Sequence, residues 1–431
     1  MAVAPSALRT LSSPSNPTCT PRALLTCASR TTMAQDRDRP EGELDFTLTG
    51  KTSHCLNLGS YNYLGFADDW MSTCGGPVLD ALRSWPVGCA SSRSDLGTTA
   101  LHTELEGIVA NFVGKEAAIV FNMGYGTNST TIPALASKGS LIISDALNHT
   151  SIVSGARASG AHIRTFAHND PADLERILRE AIAIGRPRTR RPWTKILVMV
   201  EGIYSMEGEI CNLAAISAVC KKYKAYLYLD EAHSIGALGA TGRGACEHCG
   251  VDPADVDILM GTFTKSFGGM GGYIAGAKAT ISHLRRTCAG IRQQNAMSPI
   301  VCAQIVRAFK IIEGADGSKV GARKLRELKE NSNYFRDALV GMGLHVYGDH
   351  DSPVIPVLLY NPTKIAAFSR ECLKRGLAVV TVGFPATPII KSRARFCVSA
   401  GHKRADLEAA IATIGEVAEL CKLRYSVSTF G

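Results

Sequence analysis

Five short apolar runs recur along the middle of the chain: "AAIVF" (117–121), "SLIIS" (140–144), "KILVMV" (195–200), "AYLYL" (225–229) and "DILMG" (257–261). None alternates polar with apolar residues, so each reads as a strand buried on both faces. Between them lie segments of helical period. In "LHTELEGIVANF", Leu101, Leu105, Ile108, Val109 and Phe112 share one helical face. Buried strands alternating with amphipathic helices predict an α/β fold, a mostly parallel sheet with helices on both faces.

After residue 300 the rhythm changes to helices, a strand-like "SPVIPVLLY" and a last amphipathic helix with Leu407, Ile411, Ile414, Val417 and Leu420 on one face. The expected organisation is an N-terminal segment, 1–44, outside the fold, a large α/β domain, 45–290, and a smaller α+β domain, 291–431. A chain of 431 residues can bury two such cores. Its 45% apolar and 20% charged residues are those of an ordinary globular protein. No run approaches the roughly 18 apolar residues of a spanning helix, so a membrane would be met peripherally or through a partner.

The formal charge of +9 is not organised into a basic tract interleaved with aromatics, so a nucleic-acid partner is not expected. The densest basic stretch, "RPRTRRPW" (186–193), reads as a solvated loop or as a contact for an anionic substrate, partner or lipid headgroup. Fourteen scattered cysteines show no disulfide framework, and "CEHC" (246–249) has no second ligand pair at zinc spacing. Residues 1–44 are rich in Ser, Thr and Pro, with Arg9, Arg22 and Arg30 but no acid before Asp36; they read as a transit-like segment or a plain tail.

Open α/β sheets bind ligands beyond the carboxyl ends of their strands. There the chain places Gly124 and Tyr125, Asp145 with Asn148 and His149, then Glu201, "DEAH" at 230–233, and finally Thr262, Thr264 and Lys265. "DEAH" also occurs in ATPases, but these need a G-x-x-x-x-G-K-[ST] loop. Before Gly50-Lys51-Thr52 the first glycine is replaced by Asp45, so that loop is missing. Pyridoxal 5'-phosphate (PLP) uses the set better. Lys265 offers the Schiff-base amine, and Asp230 an anion for the pyridine nitrogen. Gly124, Tyr125, Thr262 and Thr264 offer phosphate donors. His149 offers a ring to stack, and His233 a donor to the 3'-oxygen.

The blocks "GTTALHTELE", "SDALNHTSI", "VEGIYSMEG", "YLDEAHSIGALGATGRG", "GTFTKSFGG" and "GFPATPII" carry a family resemblance over about residues 56–400. The chain resembles the α-oxoamine synthases, PLP enzymes of fold type I, and within them the catalytic subunits of eukaryotic serine palmitoyltransferases. The resemblance implies condensation of L-serine with palmitoyl-CoA. It assigns Lys265 to the cofactor's imine link, His149 to ring stacking, Asp230 to the pyridine nitrogen and His233 to the 3'-oxygen. It also assigns phosphate contacts to Gly124, Tyr125, Thr262 and Thr264; Tyr63 and Arg395 are the candidate substrate contacts, Arg395 for the amino-acid carboxylate. Another α-oxoamine synthase, using glycine or a shorter acyl-CoA, and a non-catalytic scaffold subunit are the alternatives.

Two departures stand out. The family's Thr-Ser pair, in the loop that reaches the neighbouring subunit's phosphate, is replaced in "RQQNAMSPI" by Asn295-Ala296; bacterial relatives also carry an arginine where this chain has Gly383. The family's eukaryotic catalytic subunits have a longer, membrane-associating N-terminal region. These features imply a heterodimer with a homologous lysine-less subunit, a homodimer being the alternative. They also imply attachment through that partner to the cytosolic face of the endoplasmic reticulum.

Overall fold

The computed structural model describes residues 24–32, 46–68 and 70–425. Strands β1 (Leu24–Thr32) and β2 (Phe46–Asn57) pair antiparallel. The 24–32 stretch therefore belongs to a sheet, which corrects its expected place outside the fold. The rest of residues 1–44 lies outside the described residues.

The central sheet has seven strands: β3 (Ala117–Phe121), β4 (Leu141–Asp145), β5 (His162–Phe166), β6 (Ile196–Glu201), β7 (Tyr226–Asp230), β8 (Ile258–Thr262) and β9 (Gly272–Gly276). Their order is β3-β9-β8-β7-β6-β4-β5, and β9 alone runs against the others. All five expected runs are strands, four of them one residue later than their sequence pattern. Two strands escaped notice. β9 is a short "GYIAG" hidden among glycines, and β5 is an edge strand with little apolar pattern.

Successive residues of each strand enter different cores. Val120, Ile143, Val198, Val200, Leu227, Leu229 and Leu259 face helices Ala100–Phe112, Pro171–Ile184, Leu213–Tyr223 and Pro299–Ile312. Ile119, Ile142, Leu197, Met199, Tyr228 and Met260 face helices Gly124–Leu135, Thr150–Ala158 and Lys278–Thr287. Helix starts are written locally. Asp170 accepts from the N–H groups of Ala172 and Asp173 ahead of Pro171, and Asn361 accepts from Thr363 ahead of Pro362.

A third core gathers Phe335, Phe368, Phe396, Leu407, Ile414 and Val417 around β10 (Val354–Tyr360), β12 (Val380–Val382) and β13 (Ser392–Cys397). The two-residue β11 (Leu377–Ala378) instead joins β2. Helix Pro299–Ile312, which a boundary near 290 assigns to the smaller unit, packs into the large core because Phe309 stacks on Phe267 with 4.3 Å between centroids. The last helix, Arg404–Leu420, buries Leu407, Ile414 and Val417 as expected, with Ile411 at the margin. Leu420 is exposed, and Ala410 and Ala418 complete the stripe. Among the described residues, no helix is long and apolar enough to cross a membrane.

Candidate active site

Lys265 stands on the turn joining β8 to the reversed β9. The turn closes on itself: Phe263 N–H donates to Gly271 O (2.9 Å), and Gly269 N–H to Phe263 O (2.9 Å). Phe263 and Phe267, on either side of the lysine, are fully buried, and Ser266 Oγ donates to Ile235 O at 2.7 Å. The neighbours point into the core, so the lysine is left facing a cavity of about 320 Å³. Burial lowers its amine to about 8, a shift that the nearby Asp230 carboxylate partly opposes. No carboxylate among the described residues forms an ion pair with it. Its ammonium instead lies 5.4 Å from the centre of the Tyr61 ring.

The floor of the cavity is acidic. Asp230, the last residue of β7, is 3% exposed and accepts from Asn128 Nδ2 (2.7 Å) and from its own turn through Ala232 N–H (2.8 Å). Asn128 in turn donates to Ser151 Oγ (2.9 Å) and accepts from Tyr228 OH (2.6 Å). His149 caps helix Thr150–Ala158, its Nδ1 2.8 Å from Ser151 Oγ. Burial, with Lys265 nearby, lowers the His149 imidazole against the opposing pull of Asp230, so the ring is neutral. His233 is held by Tyr63 OH at Nδ1 (2.7 Å). Burial, then Lys265 and Arg395, keep its ring neutral as well, which leaves Nε2 for a ligand.

At the other end, Gly124 opens helix Gly124–Leu135 without a side-chain cap, so its first N–H groups are unspent. A Cβ on Gly124 would come within 2.7 Å of Thr262 Oγ1, so only glycine lets the helix start this close to β8. Thr262 Oγ1 bonds Gly271 O (2.8 Å) and Thr264 Oγ1 (3.0 Å). Tyr125, half-exposed at the rim, reaches Ser154 Oγ at 2.8 Å.

The fold thus brings Lys265, His149, Asp230, His233, Gly124, Tyr125, Thr262 and Thr264 around one cavity. Tyr63 is fully buried and stands behind His233, so it supports a wall residue; the tyrosine on the wall is Tyr61, and Arg395 lies behind the lining as well. Arg395 is 5% exposed and stacks 4.6 Å from the centre of Tyr61, with Nη1 3.5 Å from Ser205 O; it has no carboxylate partner among the described residues. Asn295 and Ala296 are tied to their own chain. Asn295 O accepts from Asn122 Nδ2 (2.7 Å), and Ala296 N–H donates to Ser91 O (2.9 Å), beside the Gly124 end of the cavity.

Sequence reasoning left Asn128, Tyr61, Ser151 and Met206 unassigned. Asn128 had a signal: it lies one helical turn beyond Gly124 and so shares its face.

PLP fits these residues. An acid with two donors suits a cationic ring nitrogen, a glycine-opened helix start suits a phosphate, and an amine lowered to about 8 suits carbonyl capture. Fold and site define a PLP-dependent transferase, and the chain belongs to the aminotransferase class I and II family, whose model matches residues 53–414. Within it the chain is 60% identical over 379 residues to long chain base biosynthesis protein 2d of Oryza sativa subsp. japonica, covering 88% of this chain and 77% of that protein. It is 51% identical over 385 residues to serine palmitoyltransferase 3 of Homo sapiens, covering 88% and 69%. The Sphingomonas wittichii serine palmitoyltransferase structure superposes with a TM-score of 0.79 at 30% identity, covering 94% of each chain. A structure of SPT with a PLP internal aldimine gives the same TM-score and identity over 88% of this chain and 90% of that one.

Proposed function

We infer that this chain is the catalytic subunit of a serine palmitoyltransferase, joining L-serine to palmitoyl-CoA and releasing 3-oxosphinganine, CoA and CO2. The observation that carries this reading is Lys265: a buried amine at the end of β8, facing Asp230 across a glycine-opened cavity, in a chain half or more identical to long-chain-base enzymes. Bound PLP supplies an electron sink for the carbanion at the amino acid's α-carbon.

The chain supplies the rest. Asp230 holds the ring nitrogen's proton, and its two donors keep the carboxylate aimed. His149 and the Gly124 helix start hold the flat ring and its phosphate. Arg395, buried without a counter-ion, pairs with the serine carboxylate once Tyr61 yields. The Lys265 amine, neutral in an appreciable fraction near neutral pH because burial lowers it, takes the α-proton and later returns one.

The working unit is proposed to be a heterodimer with a homologous lysine-less chain, which holds it at the cytosolic face of the endoplasmic reticulum. Supporting this, the segment that carries Asn295 and Ala296 lies against Ser91–Gly97, and its Ser298 hydroxyl donates to Val87 O; Leu96 is 89% exposed and Val87 71%. A partner would cover this apolar rim and bring its own loop to the phosphate. A scaffold role is disfavoured by Lys265 itself.

The test is expression alone and with a lysine-less homologue, size-exclusion chromatography, then product formation from serine or glycine with a panel of acyl-CoAs. Serine with palmitoyl-CoA should give the long-chain ketone only with the partner present. Faster turnover of glycine or a short acyl-CoA would overturn the substrate assignment, and full activity from a soluble homodimer would overturn the assembly.

A further inference from the structure

One acid in the cavity has no part in the roles above. Glu201, the last residue of β6, is 4% exposed and lines the cavity. In the parallel register it stands directly opposite Asp230, and side chains so paired project from the same face of the sheet. That face is the one against helix Gly124–Leu135, as Met199 and Tyr228, two residues earlier in each strand, both pack there. Two buried carboxyl groups side by side do not both ionise.

Their partners decide which one keeps the charge. Asp230 accepts from two donors, Asn128 and the Ala232 N–H. Glu201 accepts from one, the backbone N–H of His149. We propose that Glu201 is a positioning residue: as a neutral carboxylic acid it pins the backbone turn from which His149 projects, leaving Asp230 the anion beneath the cavity. The charged groups facing it are Asp230 from β7 and Lys265 from the β8–β9 turn, with Asp145 acting through the sheet from its opposite face. Its own loop adds the Tyr204 hydroxyl, which accepts from the Glu201 N–H at 3.5 Å. Burial and Asp230 favour the proton; the His149 N–H and Lys265 oppose it.

A neutral Glu201 acts through its carbonyl oxygen, which glutamine reproduces and alanine does not. Glu201→Gln should therefore bind PLP within about threefold of wild type, whereas Glu201→Ala leaves a buried N–H unpaired and should bind it roughly tenfold or more weakly. The inference rests on the cofactor assignment above, so a second reading uses the apoprotein. A wild-type minus Glu201→Gln infrared difference spectrum near neutral pH should show the C=O stretch of a protonated carboxyl. That band does not depend on which amino acid or acyl-CoA is turned over. If Glu201→Ala fails to fold, the glutamine affinity and the infrared band still decide. A glutamine variant that binds as poorly as alanine, or a difference spectrum showing only an ionised carboxylate, overturns the proposal.

Discussion

Replacing Asn128 by Asp changes almost no volume but sets a second carboxylate against Asp230, whose oxygen now lies 2.7 Å from the Asn128 amide nitrogen. With charge centres about 4 Å apart and an effective dielectric constant near 20, the repulsion is about 4 kcal/mol. The hydroxyls of Tyr228 and Ser151, which already touch Asn128, can both donate to the new acid and return about 1–2 kcal/mol. A net cost of about 2–3 kcal/mol raises the folded pKa of the pair's second proton by roughly two units above the unfolded value near 3.9. An acid raised in the folded state destabilises only where the unfolded chain has lost its proton. The variant should thus match wild type below about pH 4, lose stability as the pH rises, and level off at the full cost above about pH 6. Urea unfolding of both apoproteins at about pH 4 and pH 7.5 reads this directly. An equal loss at both pH values would assign the effect to packing and refute the electrostatic argument.

Three further outcomes follow from the same geometry. Capture of PLP by wild-type apoprotein should speed up about tenfold per pH unit below pH 8 and level off above it, because Lys265 sits at about 8; borohydride should then fix the adduct in wild type and not in Lys265→Ala, as mass spectrometry would show. Gly124→Ala drives a Cβ to 2.7 Å from Thr262 Oγ1, so the helix start must retreat and PLP dissociation should quicken roughly tenfold; unchanged dissociation would remove this end from the phosphate site. His168, held between Asp145 (2.8 Å) and Glu209 (2.9 Å), is raised to about 10 by these carboxylates against its burial. Its stabilisation is complete below about pH 6.5 and lost as the pH passes 10, so His168→Leu should cost about 1–3 kcal/mol near neutral pH and little at pH 11.

The clip at His168 also shows how the two cores share the site. It holds Glu209, and Arg393 on β13 of the smaller core holds the same loop through Met206 O (2.7 Å) and Glu207 (3.1 Å). Ser205 and Met206, on the same loop, line the cavity next to Arg395. The loop from the large core thus meets the arginine from the small one, and a shift between the cores would be felt where Ser205 and Met206 line the cavity.

The sequence by itself determined five of the seven strands of the sheet and which polar residues gather at their carboxyl ends. Continuous apolar runs cannot lie on a half-wet sheet, so the strands had to be parallel and covered. That placed Asp145, Glu201, Asp230 and Thr262 at one edge, and the motif around Lys265 fixed the cofactor. Tertiary structure decided the faces. Strand residues alternate sides, so a one-residue uncertainty in the ends of β4, β6, β7 and β8 leaves open which core each polar group enters. The fold sends Glu201, Asp230 and Thr262 towards the helix that begins at Gly124, and Asp145 away to His168. It also chose between two tyrosines two residues apart, setting Tyr61 on the wall and Tyr63 behind His233. That choice depends on contacts with His233 and with Arg395 on β13, more than 160 residues away, and local pattern holds no record of partners so distant in the chain.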